Sequence, residues 1–330
     1  MATQPTILIT GPDLATTARE MAETAGYTLV HTPPYPSEEM LVEFIVQHDP
    51  VGVVSRMGKF GAGAVAAGKS LRVISKHGAG VDNIDVEAAT RHGIQVIRAA
   101  GGNAVSVAEH AVALIFATVK RLLPLDKSMR AGRWEKAGFL GRELSGMRLG
   151  LVGGGAIAAA VAQIVKGMGL DVMVYDPYAP AEAIEAMGAR RVEQLEELLS
   201  QSDIVSLHCP LTKESAHLLN AETLALMPAD SYVVNTSRGG LIDEAALLCA
   251  LESGHLAGAG LDTFEQEPPS DVSSLAASER VILTPHIAGV TAEAGTRVGE
   301  LAVKGIIDFL AGNSLPKARL ANAPVTATIT

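Results

Sequence analysis

Leu149-Gly150-Leu151-Val152-Gly153-Gly154-Gly155-Ala156-Ile157-Ala158 is the stretch on which the fold turns. An apolar, strand-like run enters three consecutive glycines and leaves as an alanine-rich segment with helical spacing, Ala156 to Lys166. That is the setting in which a dinucleotide pyrophosphate is held. Gly153 permits the tight turn, Gly155 lets backbone approach the phosphates, and Ala156 and Ile157 open a helix whose unpaired N–H groups face the anion. Ala158 stands where a third glycine usually lies. The next apolar run, Val172 to Asp176, ends in an acid about twenty residues beyond the turn, where a carboxylate accepts hydrogen bonds from the adenosine ribose and repels a ribose phosphate. The expected cofactor is therefore NAD. A solvated turn acid ahead of Pro177 is the plainer alternative for Asp176.

Outward from this turn, strand-like and helix-like segments alternate along the chain. Before it come Ile7 to Thr10, Val51 to Ser55, Arg72 to Lys76 and Gln95 to Ile97, separated by helical patterns at Leu14 to Ala25, Glu38 to Gln47 and Val86 to His92. From Leu149 onward come six apolar runs: Leu149 to Gly153, Val172 to Asp176, Ile204 to His208, Tyr232 to Thr236, Ala257 to Leu261 and Val281 to Thr284. Near-continuous apolar strands suit parallel sheets covered on both faces. The fold class expected is α/β, with two doubly wound parallel-sheet domains. One comprises residues 1–100 and 290–330, closed by a returning helix at Ala292 to Leu310, and binds substrate; the other, residues 101–289, binds NAD. Between the two series lies a long apolar helix, Val105 to Leu122, then Ala131 to Gly146 with the sole tryptophan, Trp134. That segment reads either as a connecting loop or as an arm that packs on a second subunit.

Composition narrows the function classes. Of 330 residues, 48% are hydrophobic and 19% charged, which excludes a disordered chain, and the net charge of −10 disfavours nucleic acid or an anionic membrane as partner. Two cysteines, Cys209 and Cys249, are too few for a disulfide framework or a four-cysteine metal site, so no metal is expected and a reducing, cytoplasmic setting fits best. Met1 to Thr10 lacks the basic start of a secretory signal, and the longest run without Asp, Glu, Lys or Arg, Leu149 to Val165, is 17 residues and glycine-broken.

Three chemically complementary residues each follow a strand of the second series: Arg238 in Asn235-Thr236-Ser237-Arg238-Gly239, Glu267 in Glu265-Gln266-Glu267-Pro268, and His286 in Thr284-Pro285-His286. Carboxyl ends of parallel strands share one edge, where ligands bind. A guanidinium grips a carboxylate in bidentate fashion, an imidazole exchanges a proton near neutral pH, and a carboxylate orients that imidazole. Together they equip a site for 2-hydroxy acid oxidation or 2-oxo acid reduction. Singly, each has a structural reading: a loop histidine, a carbonyl-capping arginine, a solvated acid.

With these residues in view, the chain resembles the D-isomer-specific 2-hydroxyacid dehydrogenases, in particular the phosphoglycerate dehydrogenase and hydroxypyruvate reductase branch. The likeness runs from about Ile7 to Leu310 and rests on His77-Gly78-Ala79-Gly80-Val81-Asp82-Asn83-Ile84-Asp85, Asn103 through Glu109, the glycine turn, His208-Cys209-Pro210-Leu211-Thr212 and the three strand-end segments. The resemblance implies a Rossmann-type nucleotide domain, a discontinuous flavodoxin-like substrate domain, a catalytic triad of Arg238, Glu267 and His286, and a mobile cleft. It further implies that Asp262 holds the nicotinamide carboxamide, Cys209 and Pro210 line the adenine pocket, Ser106 lies near the nicotinamide, and Ala79 and Gly80 offer N–H groups to the substrate carboxylate. Thr236 joins the cofactor-binding set, and dimerisation through the nucleotide domain would favour the arm reading of Trp134. Two departures stand out: Ala156 replaces a common arginine beside the pyrophosphate, and Ala158 replaces a glycine. The small regulatory domain of some phosphoglycerate dehydrogenases is not expected after the closing helix.

Arg56, Lys59 and Lys76 offer a distal anion of the substrate a positive partner, or else decorate the surface, so phosphoglycerate, glycerate with hydroxypyruvate, and simple 2-oxo acids all stand open. The leading expectation is an NAD-dependent oxidoreductase of a small D-2-hydroxy acid, forming a homodimer. The alternative is an NAD-sensing dimeric scaffold of the corepressor type.

Overall fold

The structure is a computed structural model that describes residues 4–325. Its internal contacts divide it into two units, one formed by the chain up to Asn103 together with the chain from Val290, the other by Ala104–Gly289.

In the first unit, β1 (Thr6–Thr10), α1 (Thr16–Thr24), β2 (Thr28–His31), α2 (Glu38–His48), β3 (Gly52–Ser55), α3 (Ala62–Ala67), β4 (Val73–Lys76), α4 (Val86–Arg91) and β5 (Gln95–Arg98) follow in order. The five strands form one parallel sheet in the order β2-β1-β3-β4-β5, the flavodoxin-like arrangement with its reversal between β1 and β3.

The second unit opens with α5 (Ala104–Val119) and α6 (Leu122–Arg130). Then come β6 (Arg148–Val152), α7 (Ala156–Val165), β7 (Asp171–Tyr175), α8 (Ala181–Ala186), β8 (Arg190–Val192), α9 (Leu195–Gln201), β9 (Ile204–Leu207) and α10 (Ala221–Ala225). β10 (Ser231–Asn235), α11 (Glu244–Glu252), β11 (Leu256–Leu261), α12 (Ser273–Ala277) and β12 (Val281–Leu283) complete it. Its seven strands are all parallel, in the order β12-β11-β10-β9-β6-β7-β8, so the direction of winding reverses between β6 and β9. The last helix, α13 (Ala292–Leu310), is capped by the Thr291 hydroxyl, which accepts from Ala294 N–H at 3.1 Å, and packs back on α1 and β4 of the first unit.

Burial explains the apolar runs. On β6 and β7, Leu149, Leu151 and Val174 join one core layer with α5 and α7, while Val152 and Met173 join the opposite layer with α9 and α11. Successive side chains point to opposite faces and both faces are covered, so no position is left for a polar alternation.

Three differences from the sequence reading have physical causes. β2 and β8 are absent from the apolar runs because both are edge strands, and β8 reads Arg-Arg-Val; the second sheet thus has seven strands rather than six. The helix expected over Val105 to Leu122 breaks near its end, where Arg121 adopts φ +52° and a new helix starts at Leu122. The short helices α3, α8 and α12, five or six residues each, carry too few turns to show a period. Among the described residues no helix is long and apolar enough to cross a membrane.

Two histidines are held neutral by the fold. Burial pushes His208 down to about 4, and its Nδ1 has no partner among the described residues. His77 is also pushed down to about 4, first by burial and then by the charges of Arg56 and Lys76, against weaker support from backbone hydrogen bonds. Between pH 4 and 6.5 the unfolded chain therefore binds protons that the folded one refuses, so the stability these histidines leave intact above pH 6.5 falls as the pH drops through that window. For one fully enclosed ring the loss is of order 3 kcal/mol at most. Urea unfolding of His208→Gln should consequently lose less stability between pH 6.5 and 4 than the parent chain; an equal loss would clear His208 of the effect.

Candidate active site

The glycine turn has the geometry its residues suggest. Gly153 sits at φ +102°, and a Cβ there would lie 2.8 Å from the backbone of His208 and Cys209, so only glycine lets the turn press against the end of β9. Gly155 is the N-cap of α7, with no side-chain cap and nothing within 4 Å of the position a Cβ would take. The start of α7 is therefore open at Gly155, and Ala156, which carries one of its first N–H groups, is exposed. Ala158 is fully buried.

Asp176 directly follows β7 and ties its own loop to the glycine turn. One carboxylate oxygen accepts from Gly154 N–H at 2.7 Å, and the other from Tyr178 and Ala179 N–H at 2.8 and 3.0 Å. Cys209 follows β9; burial first, then the charge of Asp176, push its thiol up to about 11 against one backbone hydrogen bond, so it is no nucleophile at neutral pH. The Cys209 carbonyl accepts from Ser237 Oγ at 2.6 Å, and Pro210 is exposed just beyond. Thr236, after β10, is buried with an Oγ1 that has no partner among the described residues. A glycine turn that excludes side chains, an uncapped helix start, an acid at the end of the next strand and an orphaned buried hydroxyl suit a dinucleotide. Among the described residues no group of three or more His, Cys, Asp or Glu is placed to hold a metal ion.

Arg238, Glu267 and His286 follow β10, β11 and β12, three neighbours in the sheet. His286 Nδ1 lies 2.5 Å from Glu267 Oε2. The other carboxylate oxygen, Oε1, accepts from Phe264 N–H at 3.0 Å. Burial alone raises the Glu267 carboxyl, but the bonds from His286 and Phe264 and the charges of His286 and Arg238 more than offset it, leaving the group below the usual carboxylate range. An ionised Glu267 is the acceptor that fixes a proton on His286 Nδ1 and leaves Nε2 available. Arg238 is braced by its own loop: Nη1 donates to Ser237 O at 2.7 Å, and Asn235 Nδ2 donates to Arg238 O at 2.8 Å.

His286 itself sits at φ +52°, a conformation that costs a non-glycine residue of order 1 kcal/mol and persists only when its surroundings dictate it. Asp262, fully buried at the end of β11, supplies that dictation. Its backbone carbonyl accepts from His286 N–H at 2.8 Å. Its Oδ1 accepts from Thr284 Oγ1 at 2.6 Å and Ile287 N–H at 2.9 Å, and its Oδ2 from Ala288 N–H at 2.8 Å.

In the same unit Ser106 is buried in the first turn of α5. In the first unit, Ala79 and Gly80 follow β4 and Gly78, whose φ is +148°. Arg56, after β3, is committed to the loop after β1, with Nη1 donating to the carbonyls of Pro12 and Asp13. That places its guanidinium beside the reversal between β1 and β3.

Gly239 escaped the sequence reading. A Cβ there would fall 1.8 Å from the carbonyl carbon of Phe264, so the loop bearing Arg238 lies directly on the loop bearing Glu267. The pair Gly239-Gly240 immediately after the arginine was the available signal.

Fold and site together define a dinucleotide-binding α/β protein with an oriented imidazole–carboxylate pair and an adjoining guanidinium. Residues 112–288 match the family model described as D-isomer specific 2-hydroxyacid dehydrogenase, NAD binding domain. A D-3-phosphoglycerate dehydrogenase of Archaeoglobus fulgidus is 38% identical over 288 residues, 87% of this chain and 54% of that protein. An (S)-sulfolactate dehydrogenase of Chromohalobacter salexigens is 42% identical over 236 residues, 72% of this chain and 76% of that protein. A solved protein of Thermus thermophilus superimposes with a TM-score of 0.85 at 32% identity, covering 96% of this chain and all of that one. The chain belongs to the D-isomer-specific 2-hydroxyacid dehydrogenase family, and its second unit carries the family's NAD-binding domain. It spans about half the length of the phosphoglycerate dehydrogenases it matches.

Gly239→Ala should separate the two loops and lower turnover by at least about 10-fold while the far-ultraviolet spectrum stays native, since misplacement near 1 Å costs that much or more. Parental turnover in that variant would show that the loop contact does not govern the site.

Proposed function

We propose that this chain is an NAD-dependent oxidoreductase that interconverts a small D-2-hydroxy acid and its 2-oxo acid, of the 3-phosphoglycerate or glycerate/hydroxypyruvate type. The observation that carries the reading is the 2.5 Å contact of His286 Nδ1 with Glu267. Gly153, Gly155, Ala156, Ile157 and Asp176 would hold NAD at the glycine turn, where it would act as the hydride acceptor or donor. In oxidation His286 Nε2 takes the hydroxyl proton; in reduction it returns that proton to the carbonyl oxygen. Glu267 stabilises the imidazolium that forms between those steps, and Arg238 grips the substrate carboxylate in a planar fork. Ala79, Gly80 and Arg56 are the substrate-binding groups proposed in the first unit; Thr236, Cys209, Pro210, Ser106 and Asp262 join the cofactor set. Oδ2 of Asp262 accepts one N–H, which leaves it capacity for a carboxamide. The scaffold alternative draws no support from the relatives named above.

The partner proposed for the nucleotide domain is a second copy of this chain. Trp134 and Leu140, on the segment after α6, are 74% and 94% exposed, and large apolar groups of this kind mark surfaces that associate. Both cysteines are free, which fits a reducing compartment such as the cytoplasm.

With NADH and a panel of 2-oxo acids, the protein should turn over at least one member, and His286→Ala should lower that rate by about two to four orders of magnitude; an unchanged rate would remove His286 from the chemistry. Asp176→Ala should lower the preference for NAD over NADP by about 10- to 100-fold in kcat/KM, the worth of hydrogen bonds to a charged acceptor. Equal preference before and after would refute its ribose role. Light scattering should report twice the 34.2 kDa chain mass, shifting toward the monomer in Trp134→Ala; a monomeric parent would refute the assembly.

A further inference from the structure

His110 lies on α5, outside the strand-end loops, yet its Nε2 is 3.0 Å from Thr284 Oγ1 and 3.7 Å from Asp262 Oδ1. The proton inventory fixes the direction of this chain of contacts. Thr284 has one hydroxyl proton, and it is directed to the Asp262 carboxylate, an acceptor only, at 2.6 Å. Toward His110 the hydroxyl must therefore accept, so His110 Nε2 carries a proton and donates it. An unprotonated Nε2 would compete with Asp262 for the threonine proton.

The other end of the chain is the catalytic loop. Asp262 is fully buried and collects, besides Thr284, the N–H groups of Ile287 and Ala288, while its carbonyl takes that of His286. A buried carboxylate is held in its orientation by the hydrogen bonds it accepts, and each one removed leaves it freer to turn. We propose that His110 is a positioning residue: by donating to Thr284 it commits the threonine to Asp262, and so holds the left-handed loop that aims His286 at Glu267. The inference deepens the dehydrogenase reading and rests on it for its catalytic consequence, whereas the geometric claim stands in the apoprotein.

The variants follow from the inventory. His110→Leu removes the donor, Thr284→Val removes the relay at nearly constant volume, and His110→Gln restores an N–H near the Nε2 position. On the panel substrate, His110→Leu and Thr284→Val should each lower kcat by about 10-fold, as for a small misplacement of a catalytic group, with NADH affinity by fluorescence within about 2-fold of the parent. The double variant should be no worse than either single one, because both cut one chain. His110→Gln should recover most of the loss. In the cofactor-free protein, the low-field proton resonance of the His286–Glu267 bond, assigned by its absence in Glu267→Gln, should shift or broaden in His110→Leu and Thr284→Val and return in His110→Gln. An unmoved resonance in both variants, or losses that simply add in the double variant, would overturn the proposal. Should the parent reduce no 2-oxo acid, the dehydrogenase reading fails, and the resonance alone still decides whether His110 holds the loop.

Discussion

The loop that carries His286 depends on one buried carboxylate. Asp262 is shut away from water and would be costly there without partners. It is tolerated because Thr284, Ile287 and Ala288 turn their protons toward it and His286 bonds its carbonyl. The exchange works in both directions: the loop satisfies the carboxylate, and the carboxylate forces the loop into a conformation that a histidine would not adopt unaided. The unfavourable backbone of His286 is thus a product of charge burial one strand away. From that fixed backbone the imidazole reaches Glu267, whose second oxygen is in turn anchored by Phe264.

The glycines perform the complementary task of letting backbone meet backbone. Gly153 brings the nucleotide turn onto the end of β9, and Gly239 brings the arginine loop onto the glutamate loop. Hydrogen bonds to the buried carboxylate fix orientation, and side-chain absence fixes distance. The loops of the candidate site are thus held by hydrogen bonds to a buried carboxylate and by contacts too short to admit a methyl group.

Most of this was legible in the amino-acid order because buried parallel strands must be apolar on both faces, so ten of the twelve strands among the described residues stand out as runs. The two that do not, β2 and β8, lie at sheet edges where polar residues are allowed. The strand-end candidates were equally visible, since Arg238, Glu267 and His286 each follow a run. What the order did not reveal is pairing at a distance. Nothing near His110 in sequence announces Thr284, 174 residues away, and a helix break at Arg121 depends on one backbone angle rather than on any residue preference for it. The bonds that tie Asp176 to the glycine turn were hidden for the same reason.

That last contact has a consequence for anyone wishing to retune the nucleotide preference of this protein. The Asp176 carboxylate satisfies the N–H of Gly154 and two amides of its own loop, so it is mortar for the turn, and under the ribose role proposed for it the same group would set selectivity. A replacement that welcomes a phosphorylated ribose must find new acceptors for three donors, or leave the turn slack. Under that proposed role, coenzyme choice and the stiffness of the glycine turn are inherited together, and a redesign has to treat them as one unit.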